Sequence, residues 1–186
     1  MFIGPWHAEY PQAKVLGPEN LPEKRQKQNV ENVPFSTVFT AKGKESIRVD
    51  HEFDSEFDYE FVDGHVNKEL VFNHKPDRTL IEADLLFNLP ATEQFSRAGE
   101  SATSGILTRL FAYLNNTGGS AIWQKRFIWY GISAGNRSSY NKSMAKINGW
   151  DFDRIIPCHG DVIESGGKGI FQKVMEWHLD AAKKGQ

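Results

Sequence analysis

A single cysteine, Cys158, occurs in 186 residues. That excludes an internal disulfide and any zinc module built on several thiolates. No apolar run approaches the roughly 20 residues that span a bilayer. The N-terminal Met1-Phe2-Ile3-Gly4-Pro5-Trp6-His7 lacks a basic region followed by an apolar stretch, so no secretory signal is read and the expected location is cytoplasmic. A charge excess is missing too. With 24 acidic against 22 basic residues the formal charge is −2, which gives no electrostatic footprint for nucleic acid or membrane. Closely paired histidines are also absent. The six are His7, His51, His65, His74, His159 and His178, and no two stand at i, i+2.

What is present is ordinary globular composition, 39% hydrophobic and 25% charged, in a length that suits one domain over residues 1–186. Phe2 to Tyr10 predicts a helical turn or two, and Ala13–Leu16 a short strand stopped by Gly17-Pro18. Asn20 is placed to cap a brief helix through Lys27. Residues 28–44 are polar and broken, with only Ser36–Phe39 strand-like. Between Asp50 and Glu60 acidic residues alternate with others, and Phe57, Tyr59 and Phe61 supply the apolar alternation of a half-buried strand over Phe57–Val62. Strands follow at Glu69–Asn73 and Arg78–Ala83, turned by Lys75-Pro76-Asp77. Then helices are expected at Ser104–Leu114, from Ser120 through Ile128, and at Ser138–Ile147. A short strand, Arg154–Ile156, and a last helix over Gly167–Ala182 complete the order. The fold class is α/β, or layered α+β, with an antiparallel or mixed sheet followed by helices.

Three segments carry chemistry. Asp63-Gly64-His65 sits at a turn after the acidic strand. Thr79-Leu80-Ile81-Glu82-Ala83-Asp84 is an apolar strand delivering a carboxylate, and Ile155-Ile156-Pro157-Cys158-His159-Gly160-Asp161 another delivering an imidazole. Strand ends followed by loops are where rigid scaffolds present reactive groups, and two histidines with an aspartate suit zinc. Plain roles stay open beside these: His65 as a turn residue, Asp84 as a cap, His159 as a hydrogen-bond partner of backbone. Cys158 next to His159 is read as a buried inert thiol, because adjacent residues seldom face each other. The run Trp123, Phe127, Ile128, Trp129, Tyr130 is read as a helix packed on the sheet, with a lipid- or partner-facing patch as the other reading. The acidic stretch lacks a calcium-loop signature and reads as a solvated strand face. Ser165-Gly166-Gly167-Lys168-Gly169 lacks the spacing of a P-loop.

In order and spacing, Gly64-His65, Ala83-Asp84-Leu85-Leu86-Phe87 and Cys158-His159-Gly160 resemble the second half of the metallo-β-lactamase-like superfamily. The wording of the segments, with Tyr10-Pro11-Gln12-Ala13-Lys14-Val15, is most similar to its DUF4336-type subgroup. The resemblance implies a partial αββα sandwich and a metal-dependent hydrolase of ester, thioester or lactone bonds. It implies one or two zinc ions, with His65, Asp84 and His159 as ligands, Asp84 as the catalytic or bridging carboxylate, and Asp161 as a supporting one. The family's His-x-His-x-Asp-His motif is not in this sequence, and Ala83 stands where a glycine is usual. Counting the ligands that remain, the sequence predicts an incomplete metal site, with a non-catalytic binding relative or a truncated gene product as the alternative. The expected partners are a small-molecule substrate or ligand and a second copy of the chain. An exposed apolar face is expected where strands are missing, answered by dimerisation, by cover from residues 28–50 or by poor solubility. Without a metal, Asp84 is expected to hold one histidine above its ordinary pKa, so that stability falls toward alkaline pH.

Overall fold

The computed structural model describes residues 3–30 and 33–185. Phe2, where the first helix was expected to start, and positions 31 and 32 of the linking stretch lie outside them. The first half runs α1 (Ile3–Glu9), β1 (Leu16–Pro18), α2 (Leu21–Lys27), β2 (Thr37–Phe39), α3 (His51–Glu56), β3 (Phe57–Val62), β4 (Glu69–His74) and β5 (Thr79–Ile81). The second half runs α4 (Thr92–Phe95), α5 (Ile106–Leu114), α6 (Ile122–Phe127), α7 (Arg137–Asn148), β6 (Arg154–Ile156), α8 (Gly167–Val174) and α9 (Glu176–Lys183). A π-helical turn, Ile128–Ile132, prolongs α6. The class is α/β with a mixed sheet, as the strand-then-helix order implies.

Four strands form the main sheet in the order β3-β4-β5-β6, and β1 pairs with β2 in parallel beside it. β3 and β4 are antiparallel with Phe61 opposite Leu70, and β5 returns against β4 with Phe72 opposite Ile81. This is the hairpin expected between His65 and Asp84. β6 then joins β5 in parallel, with Leu80 beside Ile155 and Ile81 beside Ile156. A parallel neighbour needs a long crossover, and α4 to α7 supply it.

The side-chain alternation of a strand sends Val62, Val71, Leu80 and Ile155 to one face of the sheet. There they meet Tyr140, Met144 and Ile147 of α7, Phe171 and Val174 of α8, and Met175. Each fully buried aliphatic or aromatic side chain contributes roughly 1.5–3 kcal/mol. The opposite face carries Phe57, Tyr59 and Phe72, whose rings pack with Phe53 of α3 and, at Tyr59, with the fully buried Phe39 of β2. Of the segment before Asp50, Phe39 thus packs on this face.

Several local expectations differ. Within the acidic stretch, Asp50 to Glu56 is a capped helix, because the Asp50 carboxylate accepts the amide of Phe53 at 2.8 Å. Glu60 is not solvated but buried, meeting Lys44 at 2.9 Å and Ser143 at 2.7 Å. Asn20 and Ala121 precede their helices in the left-handed region without a side-chain cap, so neither Asn20 nor Ser120 caps as expected. The C-terminal helix breaks at Met175, since α8 packs on β6 while α9 packs on α7. In the aromatic run Ile128 is buried, but Trp123, Phe127 and Tyr130 stand out into solvent.

Candidate functional site

The parallel register of β5 and β6 aligns their exits. Ile81 lies beside Ile156, so three residues further along each chain Asp84 and His159 emerge at one edge of the sheet. In open α/β sheets that crevice beyond the carboxyl ends of strands is where ligands bind. Their side chains meet, Asp84 Oδ1 to His159 Nε2 at 3.1 Å. The pair is accessible, with the His159 side chain 53% exposed. Its ring stacks on Phe87 at 5.7 Å between centroids. The loops are tied by backbone as well, the Asn88 amide donating to the His159 carbonyl at 3.2 Å and the Asp161 amide to the Asn88 carbonyl at 3.0 Å.

His65 reaches the same place from the turn after β3, but it is 2% exposed. Its Nδ1 accepts the amide hydrogen of Asn67 at 3.0 Å. The ring proton of the neutral form therefore sits on Nε2, which donates to the Asp84 backbone carbonyl at 3.2 Å, with Glu69 Oε2 at 3.5 Å. Burial pushes the His65 pKa down, and the Asp84 carbonyl and charge only partly offset it. The expectation of a raised histidine is thus corrected for His65, because desolvation outweighs a carboxylate that faces His159 and Asn67 instead. Asn67 Nδ2 donates to Asp84 Oδ2 at 2.6 Å.

A catalytic zinc takes three protein donors and leaves one position open. An imidazole that binds metal through Nε2 must carry its proton on Nδ1, where it donates to an outer partner. His65 has the opposite tautomer. Of the three expected ligands, Asp84 and His159 present donor atoms outward and His65 does not. Among the described residues no group of three His, Cys, Asp or Glu side chains is arranged to hold a metal ion. As placed, His65 turns its Nε2 to the Asp84 carbonyl and not outward beside the Asp84 and His159 side chains.

Beneath this edge lie two buried carboxylates that the sequence reading passed over. Glu69 accepts the amides of Ala83 at 2.7 Å and Asp84 at 2.8 Å. Glu82 accepts those of Leu85 at 2.8 Å and Leu86 at 3.3 Å. Burial raises both, Glu69 to about 7 and Glu82 well above its ordinary value, against the hydrogen bonds that favour their charged forms. The signal was in the pattern. Glu69 occupies an inward position of β4 and Glu82 directly follows β5, where an uncompensated charge is costly. Gln124, fully buried, clasps Phe87 by accepting its amide at 2.7 Å and donating to its carbonyl at 2.9 Å.

The other expectations resolve simply. Asp161 is occupied at the start of α4, accepting the Glu93 amide at 2.8 Å and the Thr92 hydroxyl. Cys158 is exposed, not buried, because its strand has ended and its side chain leaves the sheet edge. Partial desolvation and the nearby Asp84, Glu82 and Glu69 hold its thiol above its ordinary pKa, the reverse of an activated nucleophile. No helix among the described residues is long and apolar enough to cross a membrane. In comparison with known proteins, no family model matches this chain and no curated protein matches it, so the functional reading rests on motif order and geometry.

Proposed function

We propose that this chain is a metallo-β-lactamase-like domain of the metal-dependent hydrolase type with an incomplete metal site, in which Asp84 and His159 are the ligating pair and His65 is structural. The observation that carries the reading is the convergence, at one sheet edge, of the Gly-His turn, the strand-end aspartate and the His-Gly loop, with Asp84 and His159 3.1 Å apart. On this reading the chain binds a divalent cation weakly and does not by itself hydrolyse esters, thioesters or lactones. Two donors leave a zinc ion short of the three that catalytic sites supply.

The test is zinc titration of tag-free protein by calorimetry, on the wild type and on Asp84→Asn, His159→Ala and His65→Phe. The expected result is weak binding that Asp84→Asn and His159→Ala abolish and His65→Phe retains. Absence of binding in the wild type, or binding indifferent to His159, overturns the proposal. A second reading, an active hydrolase with one ion on His65, Asp84 and His159, is favoured by the chemistry of that donor set and by the 3.2 Å approach of His65 Nε2 to the backbone carbonyl of Asp84, which keeps the ring beside the strand end. It requires His65 to exchange its tautomer. Tight equimolar zinc lost in His65→Ala, together with zinc-dependent thioester or lactone hydrolysis, would select it.

A further inference from the structure

The formal charge of −2 conceals a local imbalance. Residues 101–150 contain no aspartate or glutamate but carry Arg109, Lys125, Arg126, Arg137, Lys142 and Lys146. Lys125 is spent on Glu176 and Lys146 on Glu60 and Glu45. Arg109 and Arg126 are exposed and have no carboxylate within ion-pair distance among the described residues; Arg126 lies over the Trp123 ring at 5.0 Å.

The same segment holds a helix turned inside out. An amphipathic helix of a globular protein normally faces its apolar stripe to the core. In α5 it is Ala112 that faces inward, while Ile106 and Leu107 are 84% and 80% exposed and Leu110 is half exposed. Beside it, Trp123, Phe127 and Tyr130 project from α6 and its π-turn, and the Phe111 and Phe127 rings meet edge to face at 6.3 Å, joining the two into one surface. Single exposed apolar side chains are ordinary on a monomer, but Ile106, Leu107, Leu110, Phe111, Trp123, Phe127 and Tyr130 lie together on two adjoining elements, the arrangement that marks an interaction surface.

A second copy is a poor occupant. In a two-fold dimer the same patch meets itself, and the segment that carries it offers no carboxylate to receive Arg109 and Arg126. Aliphatic side chains on a helix, aromatic rings with polar tips and flanking arginines instead complement a surface apolar within and anionic at its border. We propose that the α5–α6 face docks the protein on an anionic lipid surface, with the α5 side chains in the acyl boundary and Arg109 and Arg126 on the headgroups. The face adjoins the Asp84–His159 pair through Phe87, which touches Phe111 and Phe127 edge-on and stacks on His159. The proposal stands whether or not that pair binds a metal.

The experiment is co-sedimentation of the full chain with vesicles of phosphatidylcholine alone and of phosphatidylcholine mixed with phosphatidylserine. Binding to the anionic vesicles, weakened by salt, is expected. Arg109→Gln with Arg126→Gln should weaken it about 25-fold, roughly fivefold for each arginine, and Leu107→Ser with Leu110→Ser should abolish it. All four positions are exposed, so the variants should unfold at the same denaturant concentration as the wild type. Absence of binding, or equal binding to neutral and anionic vesicles, overturns the proposal. So does a dimer in light scattering that Leu107→Ser converts to monomer, which would assign the face to a second copy.

Discussion

Glu69 clasps the backbone of Asp84. Its Oε2 accepts the Asp84 amide at 2.8 Å and its Oε1 the Ala83 amide at 2.7 Å, so a buried side chain of β4 sets where the strand-end carboxylate emerges. The clasp has a pH cost. Burial raises Glu69 from 4.5 to about 7, so between those values the folded chain holds a proton that the unfolded chain has lost. Stability then falls as pH rises through that window, by roughly 3 kcal/mol at about 1.4 kcal/mol per unit. Glu69→Gln cannot titrate, and it should make the decline shallower, with Glu82 keeping its own share, while costing about 1–3 kcal/mol at pH 5 through one lost acceptor. Urea unfolding of both proteins from pH 5 to 8 checks this. Parallel curves would show that Glu69 does not carry the dependence.

His178 works in the opposite direction. Its Nδ1 bonds Asn141 Oδ1 at 2.7 Å, its Nε2 has no partner among the described residues, and the rings of Trp129 and Tyr140 enclose it. Burial, helped by the charge of Arg137, lowers its pKa to about 3. In the unfolded chain it takes a proton near 6.5, so stability is lost as pH falls from there toward 3, with His65 contributing in the same sense. Imidazole NMR should find no titration of His178 between pH 5 and 8. A midpoint above 5 contradicts the burial argument.

How much of this was legible in the sequence depended on the kind of interaction. Apolar alternation, which local burial imposes directly, marked β3, the Lys75-Pro76-Asp77 turn marked β4 and β5, and a helix was expected over most of α7. The approach of Asp84 and His159 was implied by the resemblance in motif order; the parallel pairing of β5 with β6 that delivers both residues to one edge is visible only in the fold. What the sequence hid was partnership at a distance. Nothing near Glu60 reveals that Lys44 comes to meet it, so an inward charge read as a solvated one. The tautomer of His65 hangs on one amide, that of Asn67. A helix was expected over α5, yet its apolar spacing gives only the existence of an apolar face, not the side it turns to.

Lys44 joins the segment before the sheet to the sheet itself. Its ammonium meets Asp63 at 2.6 Å, Glu60 at 2.9 Å and Ser143 at 3.1 Å. Burial opposes its charge, but hydrogen bonds to Asp63 and Glu60 hold its pKa above the ordinary value, and those from Lys44 and Ser139 overcome burial to hold Asp63 below its own. Lys44→Met leaves two carboxylates largely buried with a partner lost. The expected cost at pH 7 is about 3 kcal/mol, narrowing as pH falls and Asp63, no longer held down by Lys44, protonates. Denaturant midpoints at pH 7 and pH 4 read the difference, and a deficit that does not narrow would assign it to lost packing.

Gly160 sets the position of His159 through a contact no side chain tolerates. Its φ is 121°, and a Cβ there would lie 2.2 Å from the carbonyl oxygen of Asn88. That carbonyl accepts the Asp161 amide and the Asn88 amide donates to His159, so the strand-end loops cannot separate without breaking both bonds. Gly160→Ala should cost at least about 3 kcal/mol, from backbone strain added to displaced backbone. Gly99 isolates the strain alone, since its φ is 70° and no atom lies within 4 Å of the place a methyl would take, and Gly99→Ala should cost about 1 kcal/mol. Hydrogen exchange at the Asn88 and Asp161 amides should rise in Gly160→Ala and not in Gly99→Ala. Equal destabilisation, with the Asn88 amide still protected, would mean that backbone conformation and not close approach demands the glycine beside His159.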